Sequence, residues 1–323
     1  MNRLSGIRSI SILLMLRVVC CLSPYGIVAS QDPAQVQATA AAKNKLVVDM
    51  SVDDLGKFYP SEFSDLRFDS NQDGLASLLK NAGMRVEDFF RVLPNTSSKE
   101  QVFLKILNAD GMLQSASREE FYYLILSQGS KSEFAWTEDR VDMKGSPANL
   151  DNNEGFVLTS GFVLLCDCLR FEHQHESRFR YLGRAGFGNG AYVIAFAQMP
   201  ERANYRASYL DPLTQTQTRY LIQGFVWLQP DGYQIMRMQT SAVNPTRPVR
   251  YQTTDVRYWK VDFDGVPNSF WLPYEVTVDL KVRDHLYRNQ HRYSDYKLFD
   301  VQTDYNITPP EAPYSKSSAH GRE

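Results

Sequence analysis

The chain has 323 residues, of which 43% are hydrophobic and 22% charged, and its formal net charge at pH 7 is −2. This composition provides enough apolar material for a large core and excludes collagen-like, coiled-coil and wholly disordered proteins. A mildly acidic chain lacks the strongly basic face that nucleic-acid phosphates favour, so we expect no nucleic-acid partner.

The first thirty residues have the pattern of a secretory signal peptide. Arg3 and Arg8 precede an apolar stretch over residues 10–22, and small residues follow at the position that suits cleavage before Gln31. Arg17 interrupts the apolar stretch, and no later segment reaches the ~20 apolar residues of a membrane-spanning helix. We therefore expect an exported protein, in the periplasm or associated with the outer membrane, that is not an integral membrane protein.

Composition divides the rest of the chain into three parts. Residues 31–45 are rich in Ala and Gln and predict a flexible tether, whereas residues 306–323 are rich in Pro and small polar residues and predict a disordered tail. Residues 46–305 between them form one predicted α+β domain.

Two segments have helical periodicity. From Gly74 to Val92 the apolar residues recur every three or four positions, and Gly83 in the middle predicts a split into two short helices. Asp73 is the expected N-cap of this helix. The preceding Asp69–Gly74 matches half of a calcium loop, but Lys80 stands where that loop needs an acid. Residues 158–171 are the second helical candidate, with a strand as the alternative.

The remainder predicts a long antiparallel meander. Residues 101–107 and 120–126 indicate a first hairpin, and a second hairpin turns at Pro230-Asp231-Gly232. Together the segments predict a curved, half-barrel-like sheet of nine or more strands, with a few helices covering one face. The strand segments after the first hairpin are 177–183, 191–198, 220–229, 233–240, 250–262, 272–282 and 287–299.

The strand over residues 220–229 is apolar on both faces, which a one-sided surface sheet does not require. Either helices cover both faces, or one face lines a concave apolar cavity that holds a hydrophobic ligand. The alternative for each single residue is ordinary core packing. The predicted ligand-binding residues are Leu78, Phe89, Phe225, Trp227, Met236 and Met238.

Histidine and carboxylate side chains occur together at His173, His175 and Glu176. On a strand both imidazoles would share a face, at a spacing used by some metal sites, and they are the obvious general bases of an enzyme. A solvent-exposed loop is the competing interpretation. No nucleophile motif accompanies them, so we assign no catalytic residue and expect no cofactor and no bound metal.

Four cysteines are present, two of them in the predicted signal peptide. Cys20 is a poor match to a lipid-attachment site, which makes lipid anchoring the less favoured alternative. Cys166 and Cys168 are too close for an unstrained disulfide, and we expect two buried thiols, with a redox pair as the alternative.

Several segments resemble a group of uncharacterised exported bacterial proteins. They are residues 91–98, 176–183, 192–198, 221–238 and 292–299. More remotely, the order of a strand, a hairpin through Pro-Asp-Gly and a strand that ends in Ile-x-Arg-Met is similar to that in outer-membrane lipoprotein carriers. The resemblance implies a half-barrel with helices over an apolar cavity, and binding of acyl chains without catalysis.

These observations favour an exported, non-enzymatic protein that binds a lipid, a lipoprotein acyl chain or another apolar ligand in the cell envelope. A secreted hydrolase that uses the histidine cluster, with or without a metal, is one alternative. An envelope scaffold that binds a protein partner is the other.

Overall fold

The computed structural model describes residues 45–93, 95–128, 135–148, 161–186, 190–204, 207–210, 217–245, 247–266 and 269–299. The predicted signal peptide, the tail and all but the last residue of the tether lie outside this part of the chain.

A single antiparallel sheet of twelve strands forms the framework. The strands are β1 (Arg67–Phe68), β2 (Thr96–Leu107), β3 (Leu113–Gln128), β4 (Ala135–Val141), β5 (Ser177–Ala185), β6 (Ala191–Gln198), β7 (Ala207–Leu210), β8 (Gln217–Leu228), β9 (Ile235–Val243), β10 (Val249–Val261), β11 (Phe270–Val282) and β12 (His285–Leu298).

The order of the strands across the sheet is β1-β5-β6-β8-β9-β10-β11-β12-β2-β3-β4, and β7 pairs with β8. The first hairpin therefore pairs with the last strand, through contacts such as His291 with Val102 and Tyr293 with Glu100. The sheet is open, with β1 and β4 at the two ends of this order. The predicted class, a long antiparallel sheet with a few helices, is confirmed.

Within the described residues three α-helices accompany the sheet: α1 (Val52–Phe58), α2 (Pro60–Phe63) and α3 (Leu75–Val92). The predicted split of the third helix is wrong, because α3 continues through Gly83. The predicted N-cap is also wrong: Gly74 holds that position and no side chain caps the helix. Asp73 instead donates its backbone N–H to Asn71 Oδ1 in a turn.

The described part of the chain also has three 3₁₀ helices: η1 (Val47–Asp49), η2 (Phe162–Leu169) and η3 (Gln174–Glu176). The second helical candidate of the sequence, residues 158–171, contains η2. Residues 158–160 of that candidate lie outside the described part of the chain. Eight residues is long for a 3₁₀ helix, whose hydrogen-bond geometry is poorer than that of an α-helix.

The two apolar faces of β8 bury against different elements. Ile222 and Val226 face a core that includes α3 and η2, and we call this side the inner face. Phe225 and Trp227 face a second core under η1, α1 and α2, and we call this side the outer face. The alternative in which helices cover both faces is therefore the one observed at β8.

Candidate functional site

The inner face is apolar along most of the sheet. Strands β5, β6 and β8 to β11 contribute buried side chains to one continuous core beneath α3 and η2. These side chains are Tyr181, Ile194, Phe196, Ile222, Val226, Leu228, Ile235, Met238, Val256, Tyr258, Leu272, Val276 and Val278. Such a surface would have to be covered, by protein or by a ligand, to stay out of water.

The segment η2 covers the middle of this surface. Seven of its eight residues are buried, with side chains buried around the whole helix and Leu164 alone half-buried. Apart from Asp167, which pairs with Arg170, this helix is hydrophobic all round, and such a helix belongs in an interior. Cys166 and Cys168 are buried free thiols, as expected, and burial raises the pKa of both. The thiols are therefore protonated and inert while η2 stays in place.

A close approach joins η2 to α3. A side chain at Gly83 would place its Cβ 3.0 Å from the Leu169 carbonyl oxygen and 2.9 Å from Gln174 Nε2. Gln174 Nε2 donates to the carbonyl oxygens of Leu79 and Leu169, at 3.0 and 2.7 Å. Glycine inside α3 thus serves the contact between the two helices, and α3 and η2 form one unit that we call the cover.

Ion pairs fix the end of the cover. Arg170 Nε lies 3.0 Å from Glu87 Oε1 on α3, and the guanidinium also contacts Glu172 at 2.6 Å. Arg170 lies over the Phe90 ring as well, 5.4 Å from its centroid. A guanidinium can make these planar and ionic contacts together, which a lysine ammonium cannot.

The predicted histidine cluster lies just after these ion pairs. His173 Nδ1 is 2.9 Å from Glu176 Oε1, and Asn204 donates its backbone N–H to Glu176 Oε2 at 2.9 Å. Burial lowers the pKa of His173, but the hydrogen bond to Glu176 and nearby carboxylates outweigh it and raise the pKa.

His175 is exposed on η3, because these residues form a 3₁₀ turn and not the strand that would align the two imidazoles. Within the described ranges no group of three His, Cys, Asp or Glu side chains is arranged to hold a metal ion.

The described residues of the cover pack closely against the sheet. A void of about 10 Å³, the size of one water, is lined by Phe89, Cys166 and Tyr258 among others. The buried Tyr258 hydroxyl makes no hydrogen bond within the described residues. A wider depression of about 310 Å³ opens elsewhere, between η1 and β5 beside Gln72 and Arg180.

A buried polar cluster lies on the inner face at the other end of the sheet, where β12, β2, β3 and β4 are neighbours. We define it as Glu100, Tyr123, Glu138, Arg140, His291 and Tyr293. The central carboxylate is fully buried and accepts from four donors: Arg140 Nε at 2.5 Å, Arg140 Nη2 at 2.9 Å, His291 Nδ1 at 2.8 Å and Tyr293 Oη at 2.9 Å.

These contacts decide the charge states in the polar cluster. Burial alone would raise the pKa of Glu100, but Arg140 and His291 lower it to about 2. Burial lowers the pKa of His291, so the ring is neutral and donates its Nδ1–H to the carboxylate. The cluster combines an ion pair with neutral donors, and removal of either charge would take from the other its bidentate partner in the core.

The structure separates the six residues predicted to bind a ligand. Leu78, Phe89 and Met238 lie together in the inner core. Phe225 and Trp227 lie on the outer face, in ring contact with Phe63. Met236 is 36% exposed and belongs to neither core, because a register shift in the pairing of β8 with β9 falls beside it.

Sequence analysis missed the polar cluster, although one signal was present. Glu100 alternates with Val102 and Leu104 on β2, so an acid occupies a position whose neighbours on that face are buried and apolar. Its partners, Arg140 and His291, come from strands distant in the sequence, and only the pairing of β12 with β2 brings His291 to it.

No known family model matches this sequence, and no curated protein matches it. The open sheet with a helical cover is the architecture that the resemblance to lipoprotein carriers predicts. A domain provisionally assigned as an outer membrane lipoprotein-sorting protein, from Vibrio parahaemolyticus, is 10% identical over 69% of this chain and 94% of that chain, with a TM-score of 0.34. A DUF1329 family protein from Desulfovibrio piger is 9% identical over 72% of this chain and 95% of that chain, with a TM-score of 0.32.

At these scores the two structures describe a resemblance and nothing further. Among the helices of the described residues, none is both long and apolar enough to cross a membrane.

Proposed function

We propose that this chain is an exported, non-enzymatic protein that binds a lipid, a lipoprotein acyl chain or another apolar ligand in the cell envelope. The ligand would lie on the inner face, in the place now taken by η2. The observation that supports the proposal is the pairing of a long apolar sheet face with a cover made in part of an eight-residue 3₁₀ helix.

The cover has the properties of a replaceable segment. The 3₁₀ helix η2 is apolar on every side except at Asp167, so its removal would expose a surface that an acyl chain could cover at similar cost. Its internal geometry is weaker than that of an α-helix, and the ion pairs that hold it lie at its end and not in its middle. Leu78, Phe89 and Met238 would contact the ligand, whereas Phe225 and Trp227 would not.

Native mass spectrometry of the protein purified from its own envelope, followed by lipid extraction, tests the proposal directly. We expect a stoichiometric apolar ligand. A protein that carries no ligand and takes up none from added lipid vesicles contradicts the proposal.

The two buried cysteines provide a second test. We expect Cys166 and Cys168 to react with a maleimide in the presence of lipid vesicles much faster than without them, since ligand entry moves η2. Peptide mass spectrometry distinguishes these sites from Cys20 and Cys21. Unchanged labelling of both thiols by a ligand that demonstrably binds would place the ligand elsewhere on the protein.

A further inference from the structure

The void beneath the cover connects partly exposed residues with the inner core. Three residues of its lining, Arg85, Gln234 and Trp271, are half-buried, whereas Phe89 and Tyr258 are buried. These residues come from α3, from the turn between β8 and β9 and from β10 and β11. The void therefore marks a mouth at which a ligand could pass between α3 and the sheet into the place now taken by η2.

One buried polar group of this mouth has no partner. Tyr258 is 3% exposed, and its ring packs edge-on against Phe89 with centroids 6.3 Å apart. Its hydroxyl makes no hydrogen bond within the described residues, and burial raises the pKa of Tyr258, so the hydroxyl keeps its proton. Buried hydroxyls normally have a partner, and an acceptor placed in the void would supply one.

The rest of the buried lining favours an amphiphile over a water molecule. The other buried side chains of the lining are Val86, Phe89, Ile235 and Cys166. The Cys166 thiol already donates to the Val163 carbonyl oxygen at 3.3 Å. A buried water usually makes about three hydrogen bonds and would find few partners among these side chains. The chain of an amphiphile would pack against them.

Arg85 lies at the half-buried end of the void. Its Nε donates to the Gly232 carbonyl oxygen at 2.8 Å, which joins α3 to the turn between β8 and β9. Its Nη1 lies 3.3 Å from Asp88 Oδ2. Within the described residues the third nitrogen, Nη2, makes no hydrogen bond. A guanidinium with an unused N–H group beside a void suits an oxyanion, because carboxylate and phosphate oxygens accept from its planar donors.

The charges around Arg85 also favour an anion. Asp88 is shared by two guanidiniums, Arg85 at 3.3 Å and Arg91 at 3.1 Å. Of these three side chains only Arg85 lines the void. Asp231 in the adjoining turn is exposed, where water and salt screen its charge. A ligand in the void would therefore meet a guanidinium before it met a carboxylate.

We propose that Arg85 and Tyr258 bind the polar end of the ligand, and that this end is an oxyanion, a carboxylate or a phosphate, attached to an acyl or alkyl chain. Both residues line one small void, so the oxygens of one oxyanion can accept from both. The chain would continue past Phe89 and replace η2 on the inner face. This proposal rests on the proposed function and adds the chemical class of the ligand.

Four probes with the same sixteen-carbon chain test the class: palmitate, hexadecyl phosphate, hexadecanol and hexadecylamine, each supplied from phosphatidylcholine vesicles to the full chain. We expect the two oxyanions to bind more tightly than the alcohol and the amine to bind least, as measured by native mass spectrometry. Equal binding of the four probes, or tightest binding of the alcohol or the amine, overturns this proposal and leaves the proposed function standing. Failure of all four probes to bind contradicts the proposed function itself.

Arg85→Gln removes the guanidinium and keeps a good helix former in α3. The preference for palmitate over hexadecanol should fall about tenfold, the size of one hydrogen bond to a charged group. A purely structural effect would change the binding of both probes alike and keep their ratio. Arg91→Gln is the matched control, because Arg91 pairs with the same Asp88 but is 68% exposed and does not line the void. It should leave the preference unchanged, whereas a preference that Arg85→Gln retains overturns the proposal.

Tyr258→Phe is the second variant, because it removes only a hydroxyl and keeps the packing of the ring. It should reduce the preference for palmitate by a smaller factor. It should not lower the midpoint of chemical denaturation, since the hydroxyl has no partner to lose within the described residues. A lowered midpoint would reveal a structural partner, and an unchanged preference would exclude the hydroxyl from the site. Either result overturns the role of Tyr258.

The two oxyanions distinguish the source of the ligand. Tighter binding of hexadecyl phosphate that weakens in Arg85→Gln supports the proposal and identifies the phosphate of a lipid headgroup. Tighter binding of palmitate that weakens in the same variant supports it and identifies a free fatty acid.

Discussion

The two cores of this protein cover opposite faces of one strand and are built differently. On the outer face, Phe225 contacts Tyr59 and Phe63 edge-on, with centroids 4.9 and 4.8 Å apart. On the inner face the cover combines α3 with the 3₁₀ helix η2, and the Tyr258 hydroxyl beneath it has no hydrogen-bond partner among the described residues. Buried polar groups are not confined to the inner side, since Gln239 donates to the buried Glu62 carboxylate of α2, so the two cores differ mainly in the elements that cover them.

The largest expected effect concerns the buried charges of the inner face. Glu100→Ala should destabilise the protein by about 3–5 kcal/mol, because Arg140 is left buried without its carboxylate. Chemical denaturation measures the change. Glu120→Ala, at an exposed ion pair on the same sheet, should stay within ~0.5 kcal/mol. Similar values for the two variants would contradict the buried ion pair.

The outer core should respond to truncation without any opening of the inner face. Phe225→Ala removes a fully packed ring and should cost about 3 kcal/mol. Maleimide labelling of Cys166 and Cys168 in the folded variant should nevertheless remain as slow as in the natural chain. Faster labelling below the unfolding transition would show that the two cores open together, and would contradict the distinction between them.

Gly83→Ala tests the contact within the cover. Alanine favours a helix by ~1 kcal/mol over glycine, but here its Cβ would meet the Leu169 carbonyl, and we expect a net loss of about 1 kcal/mol with faster labelling of the two thiols. Gly56→Ala in α1 is the matched control, because nothing lies within 4 Å of its added Cβ. It should be stabilising by ~0.5–1 kcal/mol. A stabilising Gly83→Ala would show that the close approach is not needed.

The smallest effect is a dependence on pH at the end of the cover. The pKa of His173 is raised when folded, so its stabilisation is present below pH 6.5 and is lost as pH rises through the raised value. The pKa of Glu176 is lowered by His173 and Asn204, so its contribution is present above pH 4.5 and is lost as pH falls through the lowered value.

The pair is therefore most effective between these two ordinary pKa values. His173→Gln should lose on the order of 1 kcal/mol there, and less at higher pH. The contribution of His291 to stability changes with pH in the opposite direction, because its lowered pKa makes the fold less stable as pH falls below 6.5. Unfolding free energies measured across pH for His173→Gln and the natural chain check the difference. A loss that is constant with pH would exclude the ionic contact.

Much of the fold follows from local sequence. The Pro230-Asp231-Gly232 turn and the apolar alternation on both sides of it are local signals, and the structure confirms the hairpin of β8 and β9. The apolar pattern of β8 also revealed that both faces are buried. It did not reveal which face belongs to which core, so Phe225 and Met238 were grouped although they face different cores.

The candidate site was harder to predict because it depends on contacts between distant parts of the chain. Gly83 was interpreted as a break in a helix, when its role is set by the close approach of Leu169. Of the two interpretations of His173 and His175, the strand that would align the imidazoles is not observed, and the residues lie at a 3₁₀ turn between η2 and β5. The role of Glu100 as a buried hydrogen-bond acceptor is visible only in the folded sheet, where β12 brings His291 and Tyr293 beside it.

The position of β12 also has a consequence for the order of assembly. This strand is the last in chain order among those of the described residues, yet it lies inside the sheet, between β11 and β2. The hairpin of β2 and β3 therefore has no partner for one of its edges until residues 285–298 are available. A chain that emerges from a ribosome or a translocation pore amino terminus first must hold this edge unpaired until residues 285–298 have emerged. Such an edge invites pairing with other chains, and we expect the nascent protein to need a chaperone until β12 is available.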